Sequence, residues 1–311
     1  MDYILIISGF AVLVLGANLL VDGASSLAKK LKISDLIIGL TVVAFGTSAP
    51  ELVVNVIASV KPNATDIAIS NVIGSNIVNI FIILGFSALF HPIKSEKTTT
   101  LFDIPLSFFA IVVTYLLAFT GDRILSRTDG LVMLGFFIAF IYFTTRRSIK
   151  HPLIPLEENI KIRKTGISIL MISCGLAALI GGAEIIVPSA IRIAENLGIS
   201  QAVIGLTIVA LGTSLPELAT SVVAAIKKNS DIALGNIIGS NIFNIFLILG
   251  VSSVIRPLPI YRGIGIDLTM GALGSVMVFV FVFGSKSHSI KKWQGLLLIF
   301  IYLMYAIFKI F

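Results

Sequence analysis

Ten apolar stretches of about 20 residues follow one another through this chain, and they restrict it to one class of fold. They cover approximately 3–21, 33–60, 67–90, 101–120, 130–145, 166–190, 199–226, 232–255, 264–284 and 293–310. Each is long enough to cross a hydrocarbon core of about 30 Å as a helix. Only 13% of the 311 residues are charged, against about 25% in a soluble domain. The sequence therefore predicts an all-α integral membrane protein with ten transmembrane helices.

The net charge of +7 does not point to a nucleic acid, because the basic residues are scattered through short loops instead of lining one amphipathic face. They sort by the positive-inside rule. With the N-terminus outside, 16 of the 23 Lys and Arg lie in cytoplasmic loops, among them Lys29, Lys30, Lys32 and the run from Arg146 to Lys164. Both termini are expected to be extracellular, in the cell membrane. The first stretch follows Met1 and Asp2 without a basic leader, so it is expected to be retained as a span. The one cysteine, Cys174, excludes an intrachain disulfide and is expected to be buried apolar filler.

The chain contains two copies of one unit. From Ile33 to Glu51, a shift of 166 residues recovers the same amino acid at 13 of 19 positions. Further on, at a shift of 165, DIAISNVIGSNIVNIFIILG (66–85) matches DIALGNIIGSNIFNIFLILG (231–250). Five spans separate each element from its copy, and an odd number turns the second copy over. The expected plan is a pair of inverted five-helix repeats, 1–145 and 165–311, joined by a cytoplasmic linker at 146–164. Inverted repeats of this kind characterise secondary transporters with a midplane site.

The strongest match is IGLTVVAFGTSAPE (38–51) against IGLTIVALGTSLPE (204–217). Pro50 and Pro216 lack an N–H, so each breaks its helix and frees the carbonyl four residues back, which in a membrane is tolerated beside protein or a wet cavity. Thr47, Ser48 and Glu51 lie three or four residues apart and share a face. Ser75 and Asn79 are spaced likewise, with Gly74 expected to allow close backbone approach. The second copy repeats the set as Thr213, Ser214, Glu217, Ser240 and Asn244. An all-oxygen set suits a hard cation such as Ca²⁺, which takes six to eight oxygens; the lack of His and Cys argues against zinc or copper.

Two carboxylates at helix centres cost about 5–7 kcal/mol on insertion scales, and a function should offset that. With both glutamates ionised, one Ca²⁺ neutralises the site, several Na⁺ ions do so in its place, and an empty site at −2 crosses poorly. Competition for shared oxygens then amounts to antiport.

These motifs, GTS-x-PE and GSN-x-x-N in both halves, resemble the α-repeats of the sodium/calcium exchangers in the cation/calcium antiporter superfamily, and the likeness covers essentially the whole chain. The resemblance implies four cation sites in a diamond, one for Ca²⁺ and three for Na⁺, exchanged three for one. It implies as ligands the carbonyls of Ala44 and Ala210 together with Thr47, Ser48, Glu51, Ser75, Asn79, Thr213, Ser214, Glu217, Ser240 and Asn244. It also implies that spans 1 and 6 are sliding gate helices, which the pairs Gly16-Ala17 and Gly182-Ala183 suit. Some relatives, notably potassium-dependent ones, carry Asp where this chain has Asn244, so K⁺ co-transport is not expected. Proton-coupled calcium exchangers share the plan but differ in the second-half motif.

Asn18 and Glu184 are expected to make polar contacts near an interface, and Asp103 and Asp267 to complement helix dipoles. His91, His151 and His288 are read as solvated loop residues, and the Asn63 sequon carries little weight. Three readings compete. Na⁺-driven Ca²⁺ antiport leads, with a Ca²⁺/H⁺ antiporter as its variant. A cation channel is disfavoured by the single-chain inverted repeat, and an intramembrane hydrolase by oxygens that suit ions better than a peptide. No enzyme activity, cofactor or obligate protein partner is expected; the partners are the transported ions and the bilayer.

Overall fold

The structure, a computed structural model, describes residues 1–60, 65–97, 99–119, 123–150, 162–198 and 210–310. Among them, eight helices are long and apolar enough to cross a membrane. These are α1 (Asp2–Leu31), α4 (65–90), α5 (Thr99–Phe119), α6 (Arg127–Lys150), α7 (Thr165–Asn196), α10 (Ser230–Ile255), α11 (Ile264–Phe283) and α12 (Lys292–Ile310). A further apolar pair, α2 (Asp35–Thr47) and α3 (Ala49–Val60), meets at 46° across a break at Ser48. The short helices α8 (Ala210–Thr213) and α9 (Leu215–Ile226) fall in the seventh expected stretch, whose residues 199–209 lie outside the described ones.

The middle of the bundle is α4 and α10, with 83% of each apolar window buried, against 17–33% for α12, α6, α7 and α1. Only central helices can be apolar all round and still carry Ser and Asn inward. Helices α1 and α7 cover one flank. At 30 and 32 residues they reach about 45 and 48 Å, well past the expected 3–21 and 166–190. Hydropathy marks only their more apolar N-terminal parts. The helix itself continues until Lys32 turns left-handed (φ 56°) and its N–H closes on Ala28 and Lys29 carbonyls.

The two long helices approach through glycine. A methyl added at Gly16 would stand 2.8 Å from the Gly175 carbonyl oxygen, and one at Gly182 would stand 3.0 Å from that of Gly9. A shift of 166 turns Gly9 into Gly175 and Gly16 into Gly182, so the two contacts are copies of each other. The expected close approach at Gly74 finds no described atom within 4 Å, whereas at its mate Gly239 an added methyl would stand 2.7 Å from the Leu40 carbonyl oxygen.

Two antiparallel ladders, absent from the sequence reading because two-residue strands have no period, tie loops of the halves together. Strand β1 (Ile93–Lys94) pairs with β4 (Ser289–Ile290), and β2 (Ile124–Leu125) with β3 (Leu258–Pro259). A shift of 165 carries Ile93 to Leu258 and Ile124 to Ser289, which exchanges one ladder for the other.

Three expectations need correction. Cys174 is exposed on the outer face of α7, not buried, because the helix turns Gly175 rather than its neighbour toward α1. Helix α6 continues to Lys150, into the stretch expected as linker; His151 and Asn63 lie outside the described residues. Glu184 is exposed along α7, and the Asn18 amide donates to the Val14 carbonyl of its own helix at 2.8 Å; the extended helices place both residues away from the helix ends. Asp103 and Asp267 do more than face dipoles: Arg147 holds Asp103 at 2.8 Å, while Lys309, Tyr261 and Tyr305 hold Asp267 at 2.7 Å each. A carboxylate nearly removed from water at a span end needs that compensation.

The glycine seam yields a stability prediction. Gly16→Ala forces α1 and α7 apart and should cost about 1–3 kcal/mol. Gly181→Ala, one residue from the seam with nothing within 4 Å, should be neutral or mildly stabilising. Equilibrium unfolding of both variants in mixed micelles checks the contrast.

Candidate functional site

The site begins where two helices break. Ser48 and Ser214 sit in the same sparsely populated backbone region, at φ −83°, ψ 6° and φ −90°, ψ 8°. Proline cannot extend a helix from upstream but fits a first turn, where its missing N–H has no partner to lose. Pro50 and Pro216 therefore start α3 and α9 afresh. Glu51 and Glu217 follow at once, in the first turn, where the positive end of the helix favours a carboxylate. Both are 1% exposed.

Each glutamate is met by the serine of the opposite copy. Ser48 Oγ donates to Glu217 Oε1 at 2.9 Å, and Ser214 Oγ reaches Glu51 Oε1 at the outer limit of 3.5 Å. Thr213 lies beside Glu51 as well, but outside hydrogen-bond geometry. Thr47 Oγ1 donates to Asn236 Oδ1 at 3.0 Å and faces the Ala44 carbonyl at 3.3 Å. That carbonyl also accepts the Ser48 N–H at 3.0 Å, and with the Thr47 proton on Asn236 its second lone pair is open to a ligand. Ala210 opens α8; its side chain is outside the description.

Behind the glutamates, α4 and α10 cross at four asparagines. Asn79 Nδ2 donates to Asn241 Oδ1 at 2.9 Å, and Asn244 Nδ2 to Asn76 Oδ1 at 3.0 Å. Asn76 and Asn241 donate to each other's backbone carbonyls at 3.1 and 3.4 Å. One copy's contact is thus answered by the other's, the reciprocity a two-fold relation requires.

Buried oxygens without a hydrogen-bond partner gather in this region. They are Glu51 Oε2, Glu217 Oε2, Ser75 Oγ, Ser240 Oγ, Asn79 Oδ1, Asn244 Oδ1 and Thr213 Oγ1, seven of the twelve such atoms found among the described residues. Leaving a buried polar atom unpaired costs about 1–3 kcal/mol, so seven on the repeated motifs call for an explanation. A hard cation supplies one, since it takes oxygens and nothing else. Among the described residues no three His, Cys, Asp or Glu side chains converge, so the formal charge rests on the two glutamates.

The structure therefore brings together Thr47, Ser48, Glu51, Thr213, Ser214 and Glu217 at the breaks and Asn79 with Asn244 at the crossing. Ser75 and Ser240 are buried on the same helices, α4 and α10, one turn before these asparagines. Sequence reasoning missed Asn76, Asn241 and Asn236. The signal was present: each lies in the second repeated block, and Asn76 and Asn241 are the N of GSN. The i, i+4 spacing from Ser75 and Ser240 singles out Asn79 and Asn244 and passes over the asparagines between them.

Glu51→Gln removes one buried charge. Without added cations it should leave the protein as stable or more so, and it should abolish most of the stabilisation that a saturating hard cation gives, about 2.7 kcal/mol at 100 times Kd. Unfolding with Ca²⁺ and with chelator, in both proteins, reads the difference.

The family described as sodium/calcium exchanger protein matches residues 1–146 and 167–311. The sodium/calcium exchanger MaX1 of Methanosarcina acetivorans is 34% identical over 98% of this chain and 97% of its own length. The inner membrane protein YrbG of Escherichia coli is 36% identical over 81% of this chain and 79% of its own. Among solved structures, the sodium-calcium exchanger NCX_Mj soaked with zero Na⁺ and Ca²⁺ aligns with a TM-score of 0.83 at 32% identity, over 97% of both chains. The same exchanger soaked with 10 mM Na⁺ and zero Ca²⁺ gives 0.83 at 33%, over 98% of both.

Proposed function

Since this chain belongs to the sodium/calcium exchanger family, we propose that it exchanges Na⁺ for Ca²⁺ across the cell membrane by alternating access. The observation that carries this reading is the group of partnerless buried oxygens around two carboxylates contributed by opposite halves. The ligands are Thr47, Ser48, Glu51, Ser75 and Asn79 with Thr213, Ser214, Glu217, Ser240 and Asn244, joined by the carbonyls of Ala44 and Ala210.

The charge of the site sets the exchange. Two ionised glutamates are neutralised by one Ca²⁺ or by two Na⁺, and both ions draw on the same oxygens, so loading with one excludes the other. An unloaded site keeps two uncompensated charges in a low-dielectric interior, which makes its passage costly. Exchange of three Na⁺ for one Ca²⁺, the ratio that the family resemblance implies, moves one net charge per cycle and is electrogenic. No resident cofactor is needed, because the ions are the cargo.

The architecture we propose is ten spans in two inverted repeats, 1–145 and 165–311, linked on the cytoplasmic side with both termini outside. Three sets of reciprocal contacts support it: the Gly9–Gly182 and Gly16–Gly175 approaches, the two interchanging ladders, and the crossed asparagines. The long helices α1 and α7 act as the moving pair, packed through the glycine seam closely enough to travel as one unit.

The flux test uses reconstituted vesicles loaded with Na⁺ and diluted into Na⁺-free buffer. They should accumulate Ca²⁺, and more strongly when the interior is made positive, because each cycle carries one net positive charge outward. Glu51→Gln and Glu217→Gln should each abolish the uptake. Equal uptake driven by a proton gradient without Na⁺ would reassign the coupling ion.

A further inference from the structure

We propose that Asn76 and Asn241 are positioning residues that decide which end of the Asn79 and Asn244 amides faces the transported cation. The proposal rests on the antiport reading above and assigns a role outside the ligand set.

An asparagine beside a cation is useful in only one orientation. Its oxygen attracts the ion, whereas its NH₂ repels it, and the two ends have nearly the same shape. Something must select between them. In this protein the selection starts at the main chain, where no ambiguity exists, because a backbone carbonyl can only accept.

The Asn76 carbonyl oxygen faces the Asn241 side chain at 3.4 Å, so the facing atom must be Nδ2. That fixes the Asn241 amide and points its Oδ1 at the Asn79 side chain, 2.9 Å away. Asn79 must answer an oxygen with its own Nδ2, which leaves its Oδ1 on the other side, buried and without a partner. The mirror chain runs from the Asn241 carbonyl through Asn76 Nδ2 at 3.1 Å, then from Asn76 Oδ1 to Asn244 Nδ2 at 3.0 Å. It ends at Asn244 Oδ1, also buried and unpartnered.

Turning either ligand amide over would bring two oxygens into opposition and place an NH₂ toward the ion. All four side chains are buried, at 2% or less, so water is not at hand to relieve the mismatch. Each positioning asparagine acts across the two halves: Asn76 on Asn244, and Asn241 on Asn79. Neither acts on the ligand three residues along its own helix.

That crossing gives the proposal a signature that a packing role lacks. Ca²⁺ affinity in detergent, read with radiolabelled Ca²⁺, should fall about 10- to 100-fold in Asn76→Ala, the usual range for residues that orient metal ligands. In an Asn244→Ala background the same substitution should cost less than about threefold, since the group it orients is gone; in an Asn79→Ala background it should cost its full factor. Unfolding in chelator, run in parallel, separates lost folding from lost affinity. Should Asn76→Ala fail to fold, the mirror set of Asn241→Ala with Asn79→Ala and with Asn244→Ala asks the same question.

Affinity in Asn76→Ala within threefold of the unsubstituted protein overturns the proposal, as does a full multiplicative loss in the Asn244→Ala background. Glu51→Gln serves as the reference. If it leaves Ca²⁺ affinity intact, the antiport reading fails and this one with it; if it removes affinity while the cycle is multiplicative, only the positioning role falls.

Discussion

The burial of Glu51 and Glu217 inside an apolar bundle is the constraint on which the rest of this structure depends. A carboxylate at that depth is costly, and each neighbouring feature lowers the cost in a recognisable way. Proline restarts the helix so that the glutamate falls in a first turn, where the backbone dipole favours it. The serine of the other copy reaches across to it. What these contacts leave unsatisfied is one oxygen on each glutamate, alongside five neutral oxygens of the repeated motifs, a demand that a hard cation can meet.

Because each half holds the other's glutamate, neither half contains a site alone. The central helices α4 and α10 are locked by their asparagines and by near-complete burial, so they form the fixed part. The flanking pair α1 and α7 meets through glycine backbones at the seam. In the proposed alternating access, the asparagine crossing stays fixed while the glycine-packed flank moves as one unit. The ion pairs at Asp103 and Asp267 anchor the ends of α5 and α11 to α6 and α12.

Much of this was legible in the sequence for a physical reason: a bilayer admits so few backbone solutions that apolar length nearly determines the element. The breaks at Ser48 and Ser214 followed from Pro50 and Pro216, and the sharing of the site followed from duplication. What could not be read were features set by tertiary contact. Helices α1 and α7 run on past their apolar windows because polar ends can be helical too. Cys174 shows the same limit, since composition cannot tell which face of α7 meets α1. Asn76 and Asn241 were visible as repeated letters, yet their partners lie 162–168 residues away, beyond any spacing rule within one helix.

The central claim is that Ca²⁺ and Na⁺ compete for one set of oxygens whose charge comes from two glutamates. Equilibrium binding of radiolabelled Ca²⁺ to the purified protein, titrated with Na⁺ at constant ionic strength, tests it most directly. The account predicts one Ca²⁺ per chain, displaced completely by Na⁺ along a curve steeper than single-site competition. Ca²⁺ that stays bound at saturating Na⁺, or more than one Ca²⁺ held at the glutamates, would contradict it.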